Sequence, residues 1–156
     1  MKWFIKCIRN YVNFSGRARR REYWNFVLFS FLLMIVAMIL DWICFGQSSF
    51  FYGLSGLFLF LPNLAVMARR LHDTGRSAKI LIWYYVIGFV WTIALIVSGA
   101  SAILSGMGAM STGFLVLLIA GSAVFLVWGI FFLVWFCTEG TPGENQYGPD
   151  PKQIEE

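Results

Sequence analysis

Hydrophobic positions in this chain come in long unbroken blocks, with neither the alternation of a half-buried strand nor the stripe of a soluble amphipathic helix. Four blocks stand out: YWNFVLFSFLLMIVAMIL from Tyr23, continuing through Asp41 to Phe45; FFYGLSGLFLFLPNLAVMA from Phe50 to Ala68; ILIWYYVIGFVWTIALIV from Ile80 to Val97; and FLVLLIAGSAVFLVWGIFFLVWFC from Phe114 to Cys137. A helix needs about 20 apolar residues to cross a bilayer. The pattern therefore predicts an all-α membrane protein with four transmembrane helices, at about 23–45, 50–68, 80–97 and 114–137, arranged as a four-helix bundle. A single membrane domain over residues 1–151 is expected, followed by a short tail at 152–156.

The polar links differ in kind. GQSS joins the first two spans and SGASAILSGMGAMSTG the last two, and neither carries charge. All 12 Lys and Arg fall in the N-terminal flank, in the link between spans two and three, or in the tail. With four spans those segments share one side, which the positive-inside rule makes cytoplasmic for both termini. Ser48 and Gly108 are then expected outside and Gly75 inside. Residues 1–14, MKWFIKCIRNYVNF, place Lys2, Lys6, Arg9 and Asn13 on one helical face, so they predict an amphipathic interfacial helix that ends at a Ser15-Gly16 break.

Composition agrees. The chain of 156 residues is 59% hydrophobic and only 13% charged, where a soluble domain has about a quarter of its residues charged. A membrane location is expected, and the first apolar run starts too late and runs too long for a cleavable leader. Cys7, Cys44 and Cys137 are odd in number and lack metal-ligand spacing, so neither a disulfide framework nor a metal or other cofactor is expected.

Candidate chemistry concentrates in RRLHDTGRS, Arg69 to Ser77, which holds the only histidine, His72, beside Asp73, with Arg69, Arg70 and Arg76. Arg69 and Arg70 are placed to reach lipid phosphates at the end of span two, and Asp73, Thr74 or Ser77 to cap the next helix. A second cluster, GRARRREYW, holds Arg17, Arg20 and Glu22 before an interfacial Tyr23-Trp24 pair. Its arginines are expected at anionic headgroups rather than on nucleic acid, and Glu22, at the hydrocarbon edge, is expected to pair with an arginine. Within the spans, Pro62 frees a carbonyl one turn back, Asn63 needs a partner, and Asp41 is expected to reach water or headgroups at the outer end of span one. The turn-rich acidic tail TEGTPGENQYGPDP, with Asn145 and Tyr147, is expected to fold back onto the basic segments.

FSGRARRREYW, PNLAVMARRLHDTGRS and GENQYGPDP, in that order between apolar spans, resemble the domain-of-unknown-function 805 family of small bacterial inner-membrane proteins. The resemblance runs from about residue 3 to residue 151 and rests on Gly16, Arg17, Arg20, Glu22, Tyr23 and Trp24, then Pro62, Arg69 to Asp73 and Gly75 to Ser77, then Gly143, Asn145, Tyr147, Gly148 and Pro149. Ala78 and Lys79 depart from a Gly and Trp frequent in the family. The resemblance implies an inner-membrane location and no assigned activity. The residues favour a non-catalytic scaffold or regulatory protein whose cytoplasmic polar cap binds anionic headgroups or another protein, with self-association left open. The alternatives are a small transporter or channel component, resting on Asn25, Ser30, Asn63, Thr92 and Ser122 at depth, and a lipid-headgroup enzyme using His72 and Asp73.

Overall fold

The computed structural model describes residues 2–46, 49–105 and 111–154; Ser48 and Gly108, where the outer turns were expected, lie outside them. The described elements are α1 (Lys2–Arg9), α2 (Arg20–Phe45), α3 (Phe50–Asp73), α4 (Lys79–Leu104), α5 (Thr112–Cys137) and the short α6 (Pro151–Ile154). The helices α2 to α5, of 24–26 residues each, are long and apolar enough to cross a membrane. The chain is thus an all-α membrane protein with four such helices. The helices run past the apolar blocks: α2 begins at Arg20 and α5 at Thr112, and α3 continues to Asp73 and α4 to Leu104. Arg69 to Asp73 therefore form the last turn of a helix rather than a loop.

The chain forms two compact units. One is drawn from residues up to Ala78 and from Phe136 onward, the other from Lys79–Trp135. In the first, α1 packs on the α2/α3 hairpin. Phe4 stacks on Phe26 at 5.5 Å and meets Phe29 at 5.7 Å. Phe26, Ala65, Val66 and Leu71 are fully buried. The amphipathic helix is shorter than residues 1–14, because asparagines compete with its backbone. Asn10 Nδ2 donates to the Lys6 carbonyl, and Asn13 Oδ1 accepts from the Ser15 N–H.

Asp41 does not reach water. It is buried, and its two carboxylate oxygens accept the Phe51 and Tyr52 N–H groups, each at 2.8 Å. The start of α3 has orphan donors and a partial positive charge, and Ser49 makes no side-chain cap. Asp41 on the preceding helix fills that role.

Pro62, buried inside α3, cannot donate to the Phe58 carbonyl four residues back. Tyr11 Oη does so instead, at 2.7 Å, with its ring 5.7 Å from that of Phe58. This explains why α1 and its following turn stay against the hairpin. Tyr11→Phe is expected to cost ~1–3 kcal/mol, the penalty of an abandoned carbonyl in apolar surroundings. In a Pro62→Ala background, residue 62 regains its N–H and the same change should cost far less. A double-mutant cycle read by thermal unfolding in detergent checks this, and additive effects would contradict it.

In the second unit, α4 and α5 approach closely. A Cβ on Gly121 would overlap the Trp91 indole, whose Nε1–H donates to the Leu117 carbonyl at 3.1 Å. Tyr84 packs edge-on to Phe125 and Phe132. The hydroxyls of Thr92 and Ser122 donate to the carbonyls of Gly88 and Leu118, one turn back in their own helices.

Candidate functional site

The polar cap starts from how α3 ends. Gly75, at φ +73, donates to the His72 carbonyl, and Arg76 N–H donates to the Leu71 carbonyl. These two bonds form a Schellman stop, which needs a residue tolerant of positive φ. Stopping there leaves Arg69, Arg70, His72 and Asp73 pointing in different directions from one turn.

Arg70 is wholly buried. Its guanidinium donates to Asp73 Oδ2, to the Ala18 carbonyl, and to the carbonyls of Phe136 and Thr138 at the end of α5. A cation here also complements the negative end of the α5 dipole. Arg17 takes the other Asp73 oxygen, Nε to Oδ1 at 3.0 Å, and reaches the Gly143 and Thr141 carbonyls at 2.5 Å each. Asp73 thus sits between two buried guanidinium groups. Its backbone carbonyl also accepts the Thr141 N–H at 2.9 Å. Gly140 lies against the Asp73 carboxylate so closely that no Cβ fits there. The flank is tied down by the Ala18 N–H, which donates to the Arg69 carbonyl at 3.0 Å.

The returning tail completes the wall. Asn145 Nδ2 donates to the His72 carbonyl at 3.0 Å and to Thr141 Oγ1 at 2.9 Å, while Asn145 and Gly148 exchange backbone hydrogen bonds in a tight turn. Tyr147 stacks on His72, centroids 3.9 Å apart and planes 5° from parallel. His72 Nδ1 lies 3.2 Å from the Gly16 carbonyl, which can only accept, so Nδ1 carries the proton. Asp150 accepts the Lys152 and Gly143 N–H groups, and these bonds, the Lys152 one first, hold its carboxyl below the usual range. Glu139 is also held low, chiefly by the Lys152 ammonium at 2.8 Å, with Arg20 beyond it at 3.4 Å.

A second cluster lies beside the first. Glu22 is fully buried, and its oxygens meet Arg69 Nη1 at 2.8 Å and Lys6 Nζ at 2.9 Å. Cys7 Sγ lies 3.7 Å from the same carboxylate. Burial, and then the Glu22 charge, push the Cys7 thiol up to about 12.

Several expectations change. Arg69 and Arg70 do not face lipid; both are buried and bonded within the protein. Of the flanking arginines, Arg17, Arg19 and Arg20 all bond to the C-terminal segment, Arg19 through the Pro151 carbonyl. His72 and Asp73 do not pair, because the imidazole turns to Gly16 and Tyr147 while the carboxylate faces arginines, and for the same reason Asp73 caps no helix. Arg76 donates to the Thr74 carbonyl of its own turn, and Ser77 is half-buried just beyond. Sequence reasoning missed Lys6, Cys7, Gly140 and Thr141 as members of this network, and expected Asp150 only as one acid of a tail facing the basic segments. Only the Asp150-Pro151 pair, which opens α6, carried a local signal for its place. Among the described residues no group of three or more His, Cys, Asp or Glu could hold a metal. Also among the described residues, the side chains of Lys2, Arg9 and Arg21 have no partner.

The family described as protein of unknown function (DUF805) matches residues 11–149. Inner membrane protein YhaH of Escherichia coli strain K12 is 35% identical over 156 residues, covering 97% of this chain and 98% of its own. Inner membrane protein YhaI of the same strain is 34% identical over 152 residues, covering 97% of each chain. No solved structure matches.

Proposed function

The chain belongs to the DUF805 family of proteins of unknown function, and from that premise we propose that it is a non-catalytic inner-membrane scaffold whose polar cap faces the cytoplasm and binds anionic lipid headgroups. The observation that carries this reading is how the cap spends its charge. Asp73 is shared by Arg17 and Arg70, Glu22 by Arg69 and Lys6, and Glu139 by Arg20 and Lys152. Groups held this way fasten segments together; none is poised as a base or nucleophile. The cations left over belong to the N-terminal flank, where anionic lipid would neutralise them. The transporter reading draws less support, since Asn25, Thr92 and Ser122 each bond to a carbonyl four residues back in their own helices.

Native mass spectrometry from mixed-lipid nanodiscs tests the ligand class, and reporter fusions test the side. Anionic phospholipid should be retained in preference to zwitterionic lipid. Fusions at Gly75 and at the C-terminus should read as cytoplasmic, and those at Ser48 and Gly108 as extracytoplasmic. Equal retention of both lipid classes, or a cytoplasmic signal at Gly108, overturns the proposal.

A further inference from the structure

The outer face of α1 has a composition that the cap network does not use. Lys2, Ile5, Lys6, Arg9 and Asn10 line one open groove along this helix. Their spacing of three and four residues puts them on a single face. The opposite face carries Phe4 and Cys7 into the α2/α3 core. Lys2 and Arg9 are exposed and have no partner among the described residues. Between them Ile5 is 45% exposed, an apolar side chain set among cations. Lys6 belongs to both sides: its ammonium bonds Glu22 at 2.9 Å, yet its side chain remains 39% exposed. An ammonium carries three donors, and Lys6 places its charge between the Glu22 carboxylate and the groove.

We infer that this face of α1 is a phosphate site for an anionic phospholipid, with Lys2 and Arg9 gripping the headgroup, Ile5 entering the acyl layer, and Lys6 joining the bound phosphate to buried Glu22. The inference rests on the proposed headgroup binding and names the surface that performs it. A lipid, rather than a free phosphate, fits because the cations flank an exposed isoleucine on the short helix that comes before the first span. Regulation follows from Lys6. Glu22 fixes the Lys6 ammonium in the groove only while α1 is docked, so lipid binds the docked state more tightly and, by linkage, holds α1 down.

The experiment uses full-length protein carrying Cys44→Ser and Cys137→Ser, so that Cys7, fully buried under docked α1, is the only thiol. It is placed in nanodiscs of increasing phosphatidylglycerol content. Alkylation of Cys7 should slow as the anionic fraction rises. Lys2→Gln with Arg9→Gln should abolish that dependence and weaken phosphatidylglycerol retention about thirtyfold, the equivalent of ~1 kcal/mol for each basic residue. Lys2→Arg with Arg9→Lys should restore both. Neither side chain has a partner among the described residues to lose, and an unchanged melting temperature checks that the fold is intact. Unchanged retention in the glutamine variant would overturn the α1 site while leaving headgroup binding elsewhere on the cap standing. No preference for phosphatidylglycerol in the parent protein would remove both proposals together. Displacement by soluble glycerol phosphate at equal concentration would overturn the lipid as the source of the phosphate.

Discussion

Replacing Asp73 with alanine is expected to free the C-terminal segment and destabilise the protein by ~3–5 kcal/mol, the range seen when one partner of a buried ion pair is removed. Two guanidinium groups depend on this carboxylate, from Arg17 and Arg70, and both are buried. Neither can be rehydrated without the cap opening. The Thr141 N–H bonds to the Asp73 backbone, so residues 138–150 would lose their anchor as the end of α3 shifts. Asp73→Asn keeps an acceptor oxygen but no charge, and should fall between alanine and the parent. Gly140→Ala reaches the same contact without altering a charge, because the added methyl must displace the Asp73 carboxylate. His72→Ala gives a scale. It loses a stack on Tyr147 and one bond to Gly16, together ~1–2 kcal/mol. Melting in detergent, paired with limited proteolysis between Thr138 and Asp150, reads all four variants. A protected tail in Asp73→Ala would contradict this account of the cap, as would His72→Ala proving the most damaging.

The four spans were legible because lipid leaves a chain few choices. Every backbone group in hydrocarbon must bond within its own helix, so the length of an apolar block fixes the element. The lone exception in α3 shows the same rule from the other side: Pro62 breaks one internal bond, and Tyr11, 47 residues earlier than its acceptor Phe58, supplies the missing donor. The outer limits of the spans were harder to read. Hydropathy stops at Ala68, but the helix continues because Arg69, Arg70 and Asp73 find buried partners.

The cap was legible as a meeting place and not as a set of bonds. Like-sided basic segments and an acidic, turn-rich tail were enough to bring Arg17, Arg69 to Asp73 and Asn145 together. Counting charges placed Arg69 and Arg70 at lipid phosphates, since a count cannot say which charges a fold has already neutralised. Arg17 bonds residues 56 and 126 positions away, and no sequence period encodes that. Asp41 failed for a related reason. Its partners are two backbone N–H groups on the next helix, which have no signature in side-chain pattern.

The buried Glu22 cluster allows a prediction in which stability and chemistry separate. Glu22→Gln leaves Arg69 buried without its counter-charge and should cost ~3–5 kcal/mol in thermal unfolding. Replacing both partners, as Glu22→Gln with Arg69→Met, removes the stranded charge and should recover most of that loss. A double variant as unstable as the single one would show that Glu22 and Arg69 act through something other than their pairing. Cys7 supplies the second reading. Burial contributes most to its thiol pKa of about 12, and the Glu22 carboxylate adds to the rise. In Glu22→Gln the carboxylate push is gone and the neighbouring Arg69 charge remains, so the pKa must move down. It should stay above the ordinary thiol value, because burial still disfavours the thiolate. Alkylation of Cys7 as a function of pH, in protein carrying Cys44→Ser and Cys137→Ser, should therefore turn on at lower pH in Glu22→Gln than in the parent. The double variant also loses the arginine that favours the thiolate, so its onset should lie above that of the single variant. An onset unchanged by either substitution would mean that the Cys7 thiol does not sense the Glu22 carboxylate 3.7 Å away.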